Sequence, residues 1–196
     1  MTIWLTLTPL TALFWIACAV MVLPEMLGTF FQRERQAARQ KDDGTERVLL
    51  AGTFVSQILA WNIALRWRDG RIGADQTAFL LVGTVVILLG VALRWYAIRV
   101  LGRFFTRNIA IRHDHEIVRA GPYRYVRHPS YSGYLLSVLG LGVALDNWAA
   151  LAILLGLNFA VFAYRIQVEE AALGAAFGPA YEAYRHTTKR VIPRLY

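Results

Sequence analysis

The chain has 196 residues, 57% of them hydrophobic and only 17% charged, with a mean hydropathy of +0.41. A soluble domain carries roughly a quarter charged residues, so the composition excludes an ordinary soluble enzyme and points to one membrane domain. The formal net charge of +8 reads, in so apolar a chain, as membrane topology and attraction to anionic headgroups rather than as a nucleic-acid footprint.

Residues 1–24 hold no charge. The run is too long for the apolar core of a signal peptide and lacks a basic leader, so it is expected to be a retained first span. Cys18, the single cysteine, lies inside it, which leaves no intrachain disulfide and no cysteine metal site. The polar stretch 32–47, with Asp42, Asp43 and Gly44, reads as a solvated loop with a frayed helix. Residues 48–65 and 77–93 are again free of charge, and the latter can extend past Arg94 to Ile98. A bilayer core about 30 Å thick needs roughly 20 helical residues, so both fit as spans. Gly83 and Gly90 in the third span allow close helix packing, with a partner in this chain or in another subunit.

A fourth run, 132–145, is shorter. Asp146 and Asn147 form a turn pair after it, and the apolar run 147–164 follows, so the two runs read as a helical hairpin. The expected fold is all-α and polytopic, with about five spans. From Val168 to Tyr184, the series Leu173, Phe177, Tyr181 and Tyr184 recurs at helical spacing. Gly178 and Pro179 interrupt it, which predicts two short amphipathic helices. Basic residues crowd the loops after the first, third and fifth spans, whereas the opposite side holds Arg66, Arg68 and Arg71. By the positive-inside rule the N-terminus lies outside and the C-terminus in the cytoplasm. The chain is expected to be one domain: residues 1–98 supply three spans, and residues 99–196 hold nearly all the polar motifs.

That half holds every histidine and three polar groups of interest: His115 to Val118 before Gly121-Pro122-Tyr123, then Arg127 to Gly133, then Arg165 with Glu169 and Glu170. Structural readings exist for each. Gly121-Pro122 makes a turn, Arg127 and Tyr131 anchor a span at the interface, and Arg165 and Glu169, four apart, form a surface ion pair. His113 and His115 would point opposite ways on a strand and no matching ligand pair exists elsewhere, so no metal is expected. The functional reading rests on two facts. Ionisable residues at the edge of a membrane core are costly and often line a site, and a turn opening onto a span at Pro129 offers backbone N–H groups to an anion.

The run HEIVRAGPYRYVRHPSYSGY (115–134), followed by Arg165, Glu169-Glu170, Leu173, Phe177-Gly178 and Tyr181, resembles the isoprenylcysteine carboxyl methyltransferase family. More loosely it resembles the phospholipid N-methyltransferases. The resemblance covers residues from about 103 to 190. It implies an integral membrane enzyme using S-adenosylmethionine. Asn108, His115, Glu116, Ile117, Val118, Tyr123, His128, Pro129, Ser130, Tyr131 and Glu169 would bind the cofactor, and Arg165 would face the substrate. A carboxylate acceptor is ionised at neutral pH and needs no base, only a guanidinium fork such as Arg165 to orient it. An amine acceptor would need a base, for which Glu170 is nearest. The acceptor is expected to be lipophilic or prenylated, reached from the inner leaflet. The Arg- and Ala-rich composition suggests a prokaryotic cytoplasmic membrane. Sterol-type reductases share an Arg-His-Pro-x-Tyr turn but use NADPH; Ser132-Gly133 and the distal glutamates speak against that alternative. A non-catalytic scaffold that binds anionic lipid through its basic loops is the third.

Overall fold

A computed structural model describes residues 4, 6–36, 44–105, 116–194 and 196. Among them are six α-helices: α1 (Pro9–Gln36), α2 (Thr45–Arg66), α3 (Gln76–Leu101), α4 (Pro129–Ala144), α5 (Trp148–Phe177) and α6 (Pro179–Thr187). The described residues form no strand; Val126 and Lys189 make one isolated parallel bridge. The expected all-α architecture is observed.

The first helix starts later than the apolar run. The Thr8 amide donates to Thr11 Oγ1 (2.9 Å) and the Thr11 amide to Thr8 Oγ1 (3.2 Å). This reciprocal cap, with Pro9 at the first helical position, fixes the start. Among the described residues, three helices are long and apolar enough to cross a membrane: α2, α3 with its short extension to Phe104, and α5. The described apolar part of α1, Pro9–Leu23, is shorter. With 16 residues, α4 reaches only about 24 Å at ~1.5 Å per residue. Ten of its residues are buried, so α4 is a packed inner helix whose short length is offset by protein around it.

The glycines of α3 find their partner within this chain. A Cβ on Gly90 would lie 2.5 Å from the Ser137 amide nitrogen and 2.6 Å from the Gly133 carbonyl oxygen; one on Gly83 would lie 2.5 Å from the Gly140 oxygen. Backbone thus meets backbone along the α3–α4 seam, the small-residue packing that serves where lipid supplies no hydrophobic drive. Ser137 Oγ donates across it to the Ile87 carbonyl (3.2 Å). A second seam joins α2 to α5, where Asn158 Nδ2 donates to Ser56 Oγ (2.7 Å). Large apolar side chains such as Ile58, Leu81, Val82 and Leu89 face outward, the inverse of a soluble surface.

At the end of the bundle remote from the His128 turn, the Asp146-Asn147 turn is locked. Asp146, at φ 51°, accepts from Arg71 Nε (2.8 Å) and from the amides of Ile72 and Gly73. Asn147 caps α5 by accepting from the Ala150 amide and donates to the Trp67 carbonyl. The expected hairpin is therefore present, pinned to the α2–α3 connection.

The expected pair of short tail helices is corrected. Residues 168–177 continue α5, and only α6 stands apart, after a break at Gly178 (φ 51°). The Gly-Pro pair breaks the chain as its chemistry requires, but nothing interrupts the helix before it. Asn108, His113 and His115 lie outside the described residues, as do residues 37–43 of the 32–47 stretch expected to be a loop; residues 32–36 belong to α1 and 45–47 to α2.

Candidate active site

One end of the bundle gathers the start of α4, the last turns of α5, α6 and the tail beyond it. The turn before α4 closes on itself: the Tyr131 and Ser132 amides both donate to the His128 carbonyl (3.0 and 3.1 Å). With Pro129 lacking an N–H, the row of free amides expected for an anion is not available there. What the turn presents instead is side chains.

Tyr131 Oη donates to Glu169 Oε2 (2.9 Å). The His128 ring stacks on Tyr131 at 5.5 Å between centroids, and Tyr131 packs on Phe162 at 4.9 Å. His128 Nδ1 lies 3.7 Å from Glu169 and its Nε2 3.4 Å from Glu170, so one imidazole bridges the two carboxylates. Those carboxylates differ sharply. The Glu169 side chain is 30% exposed, that of Glu170 5%. Glu170 accepts from Arg127 Nε (2.7 Å) and Arg190 Nε (3.0 Å) as well as facing His128. Both of its oxygens are engaged, Oε1 by Arg127 and His128 and Oε2 by Arg190.

Arg127 is thus turned inward on Glu170 and is no interfacial anchor; its side chain is 8% exposed. It also donates to the Thr188 carbonyl. The tail is strapped to the same turn. The Arg127 amide donates to the Lys189 carbonyl (2.7 Å), the His128 amide to that of Arg190 (2.9 Å), and Ser132 Oγ to that of Val191 (2.6 Å). On Arg190, burial acts to lower the pKa, but Glu170 and Tyr196 together outweigh it and the net shift is upward.

Arg165 is buried on α5 and not part of a surface pair; it donates to Thr45 Oγ1 at the start of α2 and reaches the Tyr131 hydroxyl. Tyr123 is buried with its hydroxyl on the Ala97 carbonyl (3.4 Å), and its own carbonyl accepts from Tyr184 Oη (2.7 Å). Burial pushes the Tyr184 phenol up to about 12, so it stays a donor. Pro129 and Ser130 are buried in the first turn of α4. The structure brings Tyr123, His128, Pro129, Ser130, Tyr131, Arg165, Glu169 and Glu170 to this end of the bundle. Glu116, exposed, and Ile117 and Val118, half-buried, lie on the coil leading to the Gly121–Arg124 turn, with no bond to the cluster among the described residues.

Sequence reasoning missed Arg94, which it counted as a topogenic charge. Arg94 Nη1 donates to the Ser130 carbonyl (3.0 Å), and its guanidinium lies over the Tyr134 ring at 5.5 Å. Together with Leu49, Phe54, Gln57, Tyr134 and Phe162 it lines a narrow groove that opens between the helices. A signal did exist: Arg94 is four residues after Gly90 and three before the buried Ala97, on the face that α3 turns to α4.

Two polar atoms are left over. Tyr181 Oη is buried with no hydrogen-bond partner among the described residues, although Glu170 and Glu169 lie near enough to raise its pKa after burial has done so. Glu169 uses only Oε2 in these bonds, which leaves Oε1 open among the described residues. An orphaned phenol beside a half-open carboxylate is a site shaped for a polar ligand with donors of its own.

Residues 81–175 match the isoprenylcysteine carboxyl methyltransferase (ICMT) family. Arg94, Tyr123, the His128–Tyr131 turn, Arg165 and both glutamates fall inside the ICMT match; Arg190 and the tail lie beyond it. The chain is 38% identical over 113 residues to protein-S-isoprenylcysteine O-methyltransferase B of Arabidopsis thaliana, covering 57% of each chain. It is 37% identical over 109 residues to the protein-S-isoprenylcysteine O-methyltransferase of Schizosaccharomyces pombe, covering 55% of this chain and 46% of that one. The chain thus spans about half the length of the curated relatives it matches. The fold is that of the solved eukaryotic intramembrane Ras methyltransferase ICMT, with a TM-score of 0.64 at 22% identity over 98% of this chain and 70% of the other.

Proposed function

We propose that the chain is an ICMT-family methyltransferase of the membrane, which uses S-adenosylmethionine to esterify a carboxylate on a lipophilic or prenylated acceptor. The observation that carries this reading is the half-open Glu169 beside the orphaned Tyr181 hydroxyl, set next to a groove with apolar walls and an arginine in its lining. The comparisons add support through the names of the relatives and the shared fold.

Glu169, Tyr181, Tyr131 and His128 fit the cofactor: an open carboxylate suits its ammonium or ribose hydroxyls, and a buried phenol can give or take a hydrogen bond. Pro129 and Ser130 shape the same turn, Tyr123 backs it, and Glu116, Ile117 and Val118 approach from the preceding coil. Asn108 and His115 are assigned to the cofactor by family resemblance. Bound S-adenosylmethionine supplies an electrophilic methyl on a cationic sulfonium. The chain's own task is to bind and orient. The acceptor carboxylate is already anionic, so it needs a guanidinium rather than a base. Arg165 takes that role in our reading, with Arg94 a second guanidinium in the groove. That hold should be loose enough to release charge in the transition state.

Glu170, the nearest base for an amine acceptor, faces two arginines and a histidine. We assign it to positioning, which favours the carboxylate over the amine acceptor of phospholipid N-methyltransferases and leaves an NADPH-dependent reduction without a supporting feature. The basic loops and the composition support a prokaryotic cytoplasmic membrane, with the site at the inner face and the N-terminus outside. Membranes containing the protein, incubated with methyl-labelled cofactor, should yield a labelled lipid extract whose label mild base releases as methanol. Base-stable label would point to an amine or thiol acceptor and overturn ester formation.

A further inference from the structure

Beside the site, on the far side of the strapped tail, lies a cavity of about 290 Å³ lined by Arg124, Tyr125, Arg185, His186, Lys189 and Arg194, with no acidic residue in its lining. Its cations are not equivalent. Arg185 and His186 belong to the last turn of α6, where the helix dipole favours positive charge, and both lie within reach of Glu182 (2.9 and 3.6 Å). Arg124, Lys189 and Arg194 come from three other places and have no carboxylate partner among the described residues.

Backbone bonds hold these three together. Arg124 ends the turn before Tyr125, and the Lys189 amide donates to the Tyr125 carbonyl (3.4 Å) while the Arg127 amide donates to the Lys189 carbonyl (2.7 Å). Arg194 sits at the tip of a tight loop. The Val191 and Ile192 amides donate to the Tyr196 carbonyl (2.7 and 2.8 Å) and the Tyr196 amide to that of Ile192 (3.1 Å), with Arg194 itself at φ 68°. Solvated surface cations spread apart; these are gathered around one hollow despite their repulsion, which an anion would relieve. Tyr125, 64% exposed, lines the same hollow, and α4 begins at Pro129, four residues on. An exposed aromatic beside cations at the end of a buried helix marks the water–membrane interface.

We propose that this cavity is a binding site for the phosphate of an anionic phospholipid headgroup. The proposal does not depend on the methyltransferase reading. The phosphate would meet Arg124, Lys189 and Arg194, and Tyr125 would sit at headgroup level. Because the same backbone bonds carry the tail that holds the His128 turn, a bound lipid would sit one strand of tail away from the active site.

The test is native mass spectrometry of the full chain in detergent with equal amounts of phosphatidylglycerol and phosphatidylcholine. The protein should retain phosphatidylglycerol in preference. The triple variant Arg124→Gln, Lys189→Gln, Arg194→Gln should weaken that retention on the order of a hundredfold, given the attraction of each lysine or arginine near a membrane surface. Arg66→Gln with Arg68→Gln, at the other end of the bundle, should leave it unchanged. The charge-preserving pair Arg124→Lys and Arg194→Lys should also retain the lipid, and the triple variant should keep its thermal midpoint. Equal retention by the triple variant, or loss in the charge-preserving pair, overturns the proposal. Displacement by millimolar inorganic phosphate would assign the hollow to a free phosphate and overturn the lipid as its source.

Discussion

Glu169 and Glu170 leave α5 about 100° apart, and that one step puts the first at the edge of an opening and the second beneath the strapped tail. The difference is testable in opposite directions. Glu170→Gln leaves Arg127 and Arg190 without their shared anion, and removing one partner of a buried ion pair typically costs about 3 to 5 kcal/mol. A lower thermal midpoint in detergent is expected, with Gln at 169 nearly neutral by the same measure. Calorimetry with S-adenosylhomocysteine should reverse the order, with Glu169→Gln losing most of the affinity. Intact affinity in that variant would remove Glu169 from the cofactor site. Tyr181→Phe sharpens the point. Its hydroxyl has no partner among the described residues, so deleting it should not destabilise the chain. A lost hydrogen bond of about 1 kcal/mol should nonetheless weaken cofactor binding roughly fivefold. The two glutamates are adjacent letters, and nothing local distinguishes them. Their roles are set by Arg127 and Arg190, 43 and 20 residues away, and such pairings are tertiary facts that no local pattern contains. Arg94 escaped for another reason: an arginine ending an apolar run satisfies the topology rule and a site equally well.

At the scale of elements, the helices were legible wherever apolar length alone decides, as for α2, α3 and α5. The pattern was less informative for α4, because an inner helix need not match the bilayer and its boundaries follow from packing. The α3–α4 seam is the clearest consequence. Gly90→Ala would place a methyl 2.5 Å from the Ser137 amide nitrogen and 2.6 Å from the Gly133 oxygen, with backbone on the far side that has nowhere to move. Overpacking typically costs 1 to 3 kcal/mol, so a clear drop in thermal midpoint is expected. Gly156→Ala on α5 is the matched control: beyond its own stretch of helix, no atom of the described residues lies within 4 Å of the added methyl, and alanine's helix propensity favours it by up to about 1 kcal/mol. If both variants unfold alike, the seam is not what joins α3 to α4. The same seam seats Arg94 over Tyr134 and under the first turn of α4, so the loss should reach the groove as well.

For the molecule as a whole, the site is built from parts distant in the chain: α3 through Arg94, the turn before α4, the end of α5, α6 through Tyr181, and the tail through Arg190. A ligand bound by such a set is bound only by the folded state. Linkage then requires the whole chain to gain stability, by about 2.7 kcal/mol at a ligand concentration of ~100 Kd. S-adenosylhomocysteine should raise the unfolding midpoint of the purified protein in a concentration-dependent way, whereas NADPH should leave it where it is. The opposite ranking would favour the reductase reading. Replacing Arg190 by Gln separates fold from site within the same experiment. Two backbone bonds and the Ser132 hydroxyl still tie the tail down, so the variant should keep most of its unliganded midpoint. Without Arg190, however, Glu170 is held by Arg127 and His128 alone, and the turn that carries His128 and Tyr131 is less firmly set. The ligand-dependent rise should therefore shrink more than the starting midpoint falls, and Arg190→Lys should restore part of it. A fall in the starting midpoint with an unchanged rise would make Arg190 a purely structural residue.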